Sequence, residues 1–146
     1  MKLSKKAYYG LRATLALVAA EKPLSIHILA KNEGIPEGYL EKILQALRKK
    51  GLLTSARGVT GGYTLTQKNI NAWEVIEALD GPLKVYPAFN SSSKNSGRAP
   101  KDIKDVLPCY QTTHCQANHI FRKVEESLEE TLKDISLASL VQNSPR

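Results

Sequence analysis

The stretch from Leu24 to Thr66 constrains the fold more than any other part of this 146-residue chain. Two helical patterns, Ser25–Asn32 and Glu37–Lys50, flank the turn Glu33-Gly34-Ile35-Pro36. Gly51 stops the second helix just after Lys49 and Lys50, whose cations suit the negative pole of a helix end. A hairpin follows at once, with Leu52–Arg57 and Tyr63–Thr66 as strands around Gly58-Val59-Thr60-Gly61-Gly62. A helix-turn-helix joined to a glycine-rich wing offers one helix to a DNA major groove and a loop to its flank. The expected fold is mainly α with a small β-hairpin wing, extended by a long C-terminal helix.

Charge agrees with that reading. The net charge is +7, and it is unevenly placed: residues 1–86 hold 13 Lys/Arg against 7 Asp/Glu, residues 87–146 hold 8 against 7. The excess lies on the part that resembles a DNA reader, where it serves phosphate contact and counterion release. Lys2, Lys5 and Lys6 cluster at the start of a first helix capped by Ser4, with Ala7, Leu11, Leu15 and Val18 as its expected inward stripe. The helix at 37–50 turns Leu40, Ile43, Leu44 and Leu47 inward and leaves Gly38, Glu41, Lys42, Gln45 and Lys49 on the other side. Gly61-Gly62 permits tight backbone geometry, so the wing tip can approach a phosphate or enter a minor groove, with Arg57 at its base.

Asn71-Ala72-Trp73-Glu74 forms a capping box for a short helix through Leu79, with Trp73, Ile76 and Leu79 available for burial. From Pro87 to Pro108 the chain turns polar around Ser91–Gly97 and is expected to be a loop. The last helical pattern places Phe121, Val124, Leu128, Leu132 and Ile135 on one face and Arg122, Lys123, Glu126, Glu129, Glu130 and Lys133 on the other. Such a stripe either packs on the N-terminal part or pairs with its copy in a second subunit, and helix-turn-helix proteins commonly read two half-sites as dimers. The expected organisation is a DNA-binding domain over 1–86, a loop with two cysteines over 87–115, and a dimerisation helix with a closing segment over 116–146.

Several function classes are excluded or disfavoured. No apolar run approaches the roughly 18–20 residues needed to span a bilayer, and the first residues lack the apolar core of a signal peptide, so a cytoplasmic protein is expected. A glycine-rich phosphate loop with its Lys, a nucleophile–base pair and paired carboxylates away from a solvated helix face are all missing, so the chain is not expected to be an enzyme. Two cysteines in a cytoplasmic chain are free thiols or ligands more often than a structural bridge.

These residues resemble the BadM/IscR-like winged-helix regulators, the Rrf-two family, over nearly the whole chain. The resemblance is carried by Met1-Lys2-Leu3-Ser4 with Tyr9, by Gly38-Tyr39-Leu40-Glu41-Lys42-Ile43-Leu44 and by Leu47-Arg48-Lys49-Lys50-Gly51-Leu52. It is carried further by Arg57-Gly58 with Gly61-Gly62-Tyr63-Thr64-Leu65, and by the closing Ile135–Leu140. It implies a homodimeric repressor of transcription acting on a double-stranded DNA operator. In such proteins the third helix enters the major groove and a wing arginine the minor groove. The implied DNA-facing set is Lys2, Lys5, Gly38, Tyr39, Glu41, Lys42, Arg48, Arg57, Gly61 and Gly62. Gly38 contributes backbone only, and Glu41 can accept from a cytosine amino group.

Members of that family that bind an iron–sulfur cluster carry three cysteines before the long helix. This chain has Cys109 and Cys115, matching the second and third of that set, with the polar insertion Ser91–Lys104 near the place of the first. Three readings compete. One is a [2Fe–2S] cluster held by Cys109 and Cys115, with His114 and His119 as nearby imidazoles in the pattern Cys109-x4-His114-Cys115-x3-His119. Relatives that complete the shell from helix one of the partner do so with a carboxylate or histidine, where this chain has Tyr8 and Arg12. A second reading is zinc on the same four residues, made awkward by the adjacent His114-Cys115. The third is a thiol switch that closes a disulfide between the two cysteines. Two spectator cysteines, a protein without a cofactor, a metal or cluster carrier not acting on DNA, and a winged helix serving protein interaction alone are the remaining alternatives.

Overall fold

The structure is a computed structural model and describes residues 3–20, 22–59, 61–85 and 116–143. The elements are α1 (Lys5–Ala19), α2 (Ile26–Glu33), α3 (Glu37–Lys49), β1 (Leu53–Ala56), β2 (Gly62–Leu65), α4 (Ala72–Asp80), α5 (Gln116–Asp134) and α6 (Leu137–Gln142). They form two compact units: residues 3–83 with 129–143, and residues 84–85 with 116–128.

Ser4 starts α1 by accepting from the Ala7 N–H at 3.0 Å. Here the structure departs from the sequence expectation. Ala7 is buried, but Leu11, Leu15 and Val18 are only half-buried at the edge of the core. The fully inward face is Ala7, Gly10, Ala13, Thr14 and Leu17. Small residues face inward because α1 packs closely on α4: a Cβ at Gly10 would come 2.1 Å from Leu79 Cδ1. The buried Thr14 hydroxyl donates to Gly10 O at 2.8 Å, so no polar group is stranded there.

Ser25 caps α2, accepting from Ile28 N–H at 3.3 Å. Gly34 ends that helix in the left-handed region at φ 63°, and Ile35 N–H reaches back to Ala30 O at 3.1 Å. Ile35 is then buried, and Pro36 starts α3, whose Leu40, Ile43, Leu44 and Leu47 form the centre of the core with Leu29, Ile70, Val75 and Leu137. The end of α3 is a Schellman motif: Gly51 (φ 79°) donates to Arg48 O at 2.9 Å and Leu52 to Leu47 O at 3.1 Å.

The hairpin pairs Leu53 with Leu65, Thr54 with Thr64, Ser55 with Tyr63 and Ala56 with Gly62, antiparallel. Leu24, the residue before the α2 cap, adds a bridge on the far side of β2, with Leu24 N–H to Tyr63 O at 3.0 Å and Tyr63 N–H to Leu24 O at 2.8 Å. The expected capping box is present: Glu74 N–H donates to Asn71 Oδ1 at 3.0 Å and Asn71 N–H to Glu74 Oε2 at 2.9 Å. Trp73, Ile76 and Leu79 are all buried. The closing segment adds to this unit: Ala72 N–H donates to Ile135 O and Leu137 N–H to Ile70 O, each at 3.0 Å, and Leu137 is buried. Near the end of α5, Lys133 donates to Glu129 at 2.6 Å and lies 5.9 Å from the Trp73 ring centre. The Glu129 hydrogen bond holds the Lys133 ammonium above its ordinary pKa.

In the second unit, Val85 N–H donates to Glu125 Oε1 at 2.8 Å, and Arg122 pairs with Glu126 at 3.7 Å on the helix surface. Two apolar residues of α5 in this stretch are exposed. Ile120 is 61% exposed and Val124 41%, with Phe121 and Leu128 half-buried.

Candidate nucleic-acid interface

The first turn of α3 has no side-chain cap on its amides. Tyr39 and Leu40 N–H donate to Pro36 O, and Glu37 and Gly38 stand at the positive end of the helix. From there the exposed face runs through Gly38, Tyr39, Glu41, Lys42, Gln45, Arg48 and Lys49. Gln45 Nε2 donates to Glu41 Oε1 at 3.2 Å, which orients one acceptor on this face. Tyr39 is 38% exposed, and its ring meets Tyr9 of α1 edge to face at 5.8 Å and 82°. His27 Nδ1 lies 3.3 Å from Glu37 Oε2 at the mouth of the turn.

Arg48 Nη1 donates to Ser55 Oγ at 2.9 Å and so ties the end of α3 to β1. Arg57 is exposed at the base of the tip and has no partner among the described residues. Gly58 adopts φ 112°, and the side chain of Val59 is fully exposed. Gly61 and Gly62 have a reason internal to the chain. A Cβ on Gly61 would lie 2.3 Å from Ala56 O, and one on Gly62, at φ 152°, would lie 2.5 Å from the Leu24 carbonyl. Lys5 is exposed, whereas Lys6 Nζ donates to Leu79 O at 3.2 Å. The start of α1 is fastened to α4, because Ser4 N–H and Ser4 Oγ both donate to the Asp80 carboxylate. Lys2 lies outside the described residues.

Of the residues expected to hold a cofactor, Cys109, His114 and Cys115 lie outside the described residues. His119 sits exposed in the first turn of α5. Among the described residues no group of three or more His, Cys, Asp or Glu side chains converges to hold a metal ion. The helix-one positions supply no ligand either. Tyr8 is 58% exposed, and the Arg12 guanidinium is committed to Glu33, with Nε donating to Oε2 at 3.1 Å and Nη2 to the backbone O at 2.7 Å.

Four contacts that shape this surface lie outside the sequence expectations: Tyr9–Tyr39, Arg12–Glu33, Arg48–Ser55 and the Leu24–Tyr63 bridge. Only the spacing of Tyr9 and Arg12, on one face of α1, was a signal that could have drawn attention to the first two.

The pattern of the Rrf2 family, described as "Iron-dependent Transcriptional regulator", matches residues 3–143. The chain belongs to the Rrf2 family. Protein rrf2 of Nitratidesulfovibrio vulgaris is 30% identical over 149 residues, covering 99% of this chain and 89% of that protein. The structure of T. potens IscR is similar with a TM-score of 0.67 at 30% identity, covering 99% of this chain and 89% of that one. The structure of CymR, the global cysteine regulator of B. subtilis, gives a TM-score of 0.70 over 99% of both chains; at 24% identity it supports the fold alone. As an Rrf2-family member this chain is a DNA-binding transcriptional regulator and not an enzyme. Both the fold class and the family expected from the sequence are borne out. No helix among the described residues is long and apolar enough to cross a membrane.

Proposed function

We propose that this Rrf2-family member is a cytoplasmic, homodimeric repressor whose operator affinity follows the state of Cys109 and Cys115. The observation that carries the DNA-reading part is the exposed polar face of α3, braced to the wing through Arg48–Ser55. Gly38, Tyr39, Glu41 and Lys42 approach bases in the major groove, Arg57 enters the neighbouring minor groove, and Lys2 and Lys5 contact phosphates. Homodimerisation draws on the exposed Ile120 and Val124 of α5, which face away from charged Arg122 and Glu126 and which the same helix of a second copy would cover. Salt-dependent binding to the DNA upstream of its own coding region tests this part, because phosphate neutralisation gives a steep salt slope. Cluster transfer without any such binding would instead make the chain a carrier.

The signal is proposed to act on Cys109 and Cys115. A [2Fe–2S] cluster held there, with His119 or His114 as imidazole ligands, would supply a redox-sensitive or labile group. A thiol switch is the second reading, and the commitment of Arg12 to Glu33 favours it by leaving helix one without a ligand. In that switch two thiolates lose two electrons to a peroxide-class oxidant, which is reduced to water and alcohol or water alone, and a sulfur–sulfur bond forms. Absorption spectra with iron, sulfide and zinc analysis on protein purified without oxygen separate the two, alongside a Cys109→Ser/Cys115→Ser variant. Visible charge-transfer bands with matching iron and sulfide, lost in the variant, support the cluster. Colourless, metal-free protein whose DNA binding changes with peroxide only when both cysteines are present supports the disulfide.

A further inference from the structure

One face of α1 holds the chain on both sides of the turn between α2 and α3. Tyr8, Tyr9 and Arg12 share that face at helical spacing. Arg12 grips the end of α2: Nε and Nη2 reach Glu33 Oε2 at 3.1 and 3.0 Å, and Nη2 donates to the Glu33 carbonyl at 2.7 Å. That carbonyl belongs to the negative end of α2, where a cation is favoured. The guanidinium is held from its other side by the Tyr8 ring, 5.8 Å away. Tyr9 meets the first turn of α3, its ring edge to face with Tyr39 at 5.8 Å. Between Glu33 and Tyr39 lie only the turn residues Gly34, Ile35 and Pro36 and the first two residues of α3.

We propose that Tyr9 and Arg12 are positioning residues that set the angle between α2 and α3, and so determine operator specificity without touching DNA. The proposal rests on the reading of α3 as the base-facing helix. The leucines beneath α3 supply burial, but apolar burial is non-directional and fixes a helix angle less sharply than hydrogen bonds do. A guanidinium fork and an edge-to-face ring pair are directional and do not. A small rotation of α3 would leave the phosphate contacts of a basic surface nearly unchanged, while moving Glu41 and Lys42 off the base edges they face. The signature is therefore a loss of discrimination rather than a loss of binding.

The test measures the affinity of full-length Tyr9→Leu, Tyr9→Phe, Arg12→Lys and wild-type protein for the DNA upstream of its own coding region and for an unrelated duplex of equal length. Salt titrations and thermal midpoints accompany each. Arg12→Lys keeps the charge and loses the fork, so its effect cannot come from lost phosphate attraction. Arg12→Lys and Tyr9→Leu are expected to lower the ratio of upstream to unrelated affinity about tenfold, with binding to the unrelated duplex and the salt slope unchanged. Tyr9→Phe keeps the ring and is expected to keep the ratio. An unchanged ratio in Arg12→Lys and Tyr9→Leu overturns the proposal, as does a parallel fall of both affinities that tracks the thermal midpoint. Wild-type protein that shows no preference for its upstream DNA defeats the function reading itself, and this inference with it.

Discussion

Two regions of the chain use the same helical periodicity and reach opposite outcomes. In the unit built on residues 3–83 and 129–143, α3 buries Leu40, Ile43, Leu44 and Leu47, α4 buries Trp73, Val75, Ile76 and Leu79, and the closing segment adds Leu137. In the stretch of α5 from residue 116 to 128, an equally regular stripe leaves Ile120 and Val124 exposed. The first region spends its apolar periodicity within the chain. In the second, Ile120 and Val124 find no cover among the described residues, and the dimer proposed above would supply it. Periodicity tells where an apolar face lies; it does not tell whether the cover comes from the same molecule.

The contrast is broken most directly at Leu44 and Val124. Leu44→Ala removes a fully buried side chain from the centre of the core and is expected to cost about 2–5 kcal/mol in urea unfolding. Val124→Glu is expected to leave the core of the first unit intact, with an unchanged circular dichroism spectrum, while shifting sedimentation toward a monomer. A Val124→Glu protein that sediments as wild type removes the α5 stripe from the interface. Next in size is Gly62→Ala, expected to cost about 1–3 kcal/mol because the new Cβ meets the Leu24 carbonyl in a positive-φ conformation. Arg57→Ala acts on function and not on folding. It is expected to weaken upstream DNA binding by about 1–3 kcal/mol with no change in thermal midpoint, and unchanged affinity across a salt series would remove Arg57 from the groove. Asn71→Ala, which opens the capping box, is expected to cost about 1 kcal/mol. The smallest effect lies at Lys133. Its folded-state pKa is raised by Glu129, so the contribution is present in full below the ordinary lysine value and is lost as pH rises through the raised one. Lys133→Met is expected to lower stability slightly at neutral pH, where the contribution is present, and to flatten the alkaline limb of the stability profile.

Much of the unit over residues 3–83 and 129–143 is legible in the sequence because its signals are local. Ser4, Ser25 and Asn71 cap their helices through their own side chains, and Gly34 and Gly51 end helices because their backbones need φ values that other residues resist. The inward face of α1 differs from the sequence expectation for a non-local reason. Large apolar residues score highest in a periodicity, but close approach to α4 admits only Gly10, Ala13 and Thr14 at the centre and leaves Leu11 and Leu15 at the rim. The glycines of the wing were legible as special, yet their reason was not. Gly62 is required by the approach of Leu24, 38 positions earlier in the chain, and no local pattern connects the two. Tyr9–Tyr39 and Arg12–Glu33 were hidden in the same way, since each joins residues more than 20 positions apart.

The bridge between Leu24 and Tyr63 also fixes what can be redesigned in the wing. Leu24 immediately precedes the cap of α2, and Tyr63 neighbours the glycine that closes the hairpin, so the rear of the wing is hydrogen-bonded to the mounting of the helix-turn-helix. Changing the length of either strand would drag α2 with it. The segment between Arg57 and Gly61 lies outside the hydrogen bonds that join Tyr63 to Leu24. Loop length there becomes an independent dial for how far the wing extends, set apart from the orientation of the helix beside it.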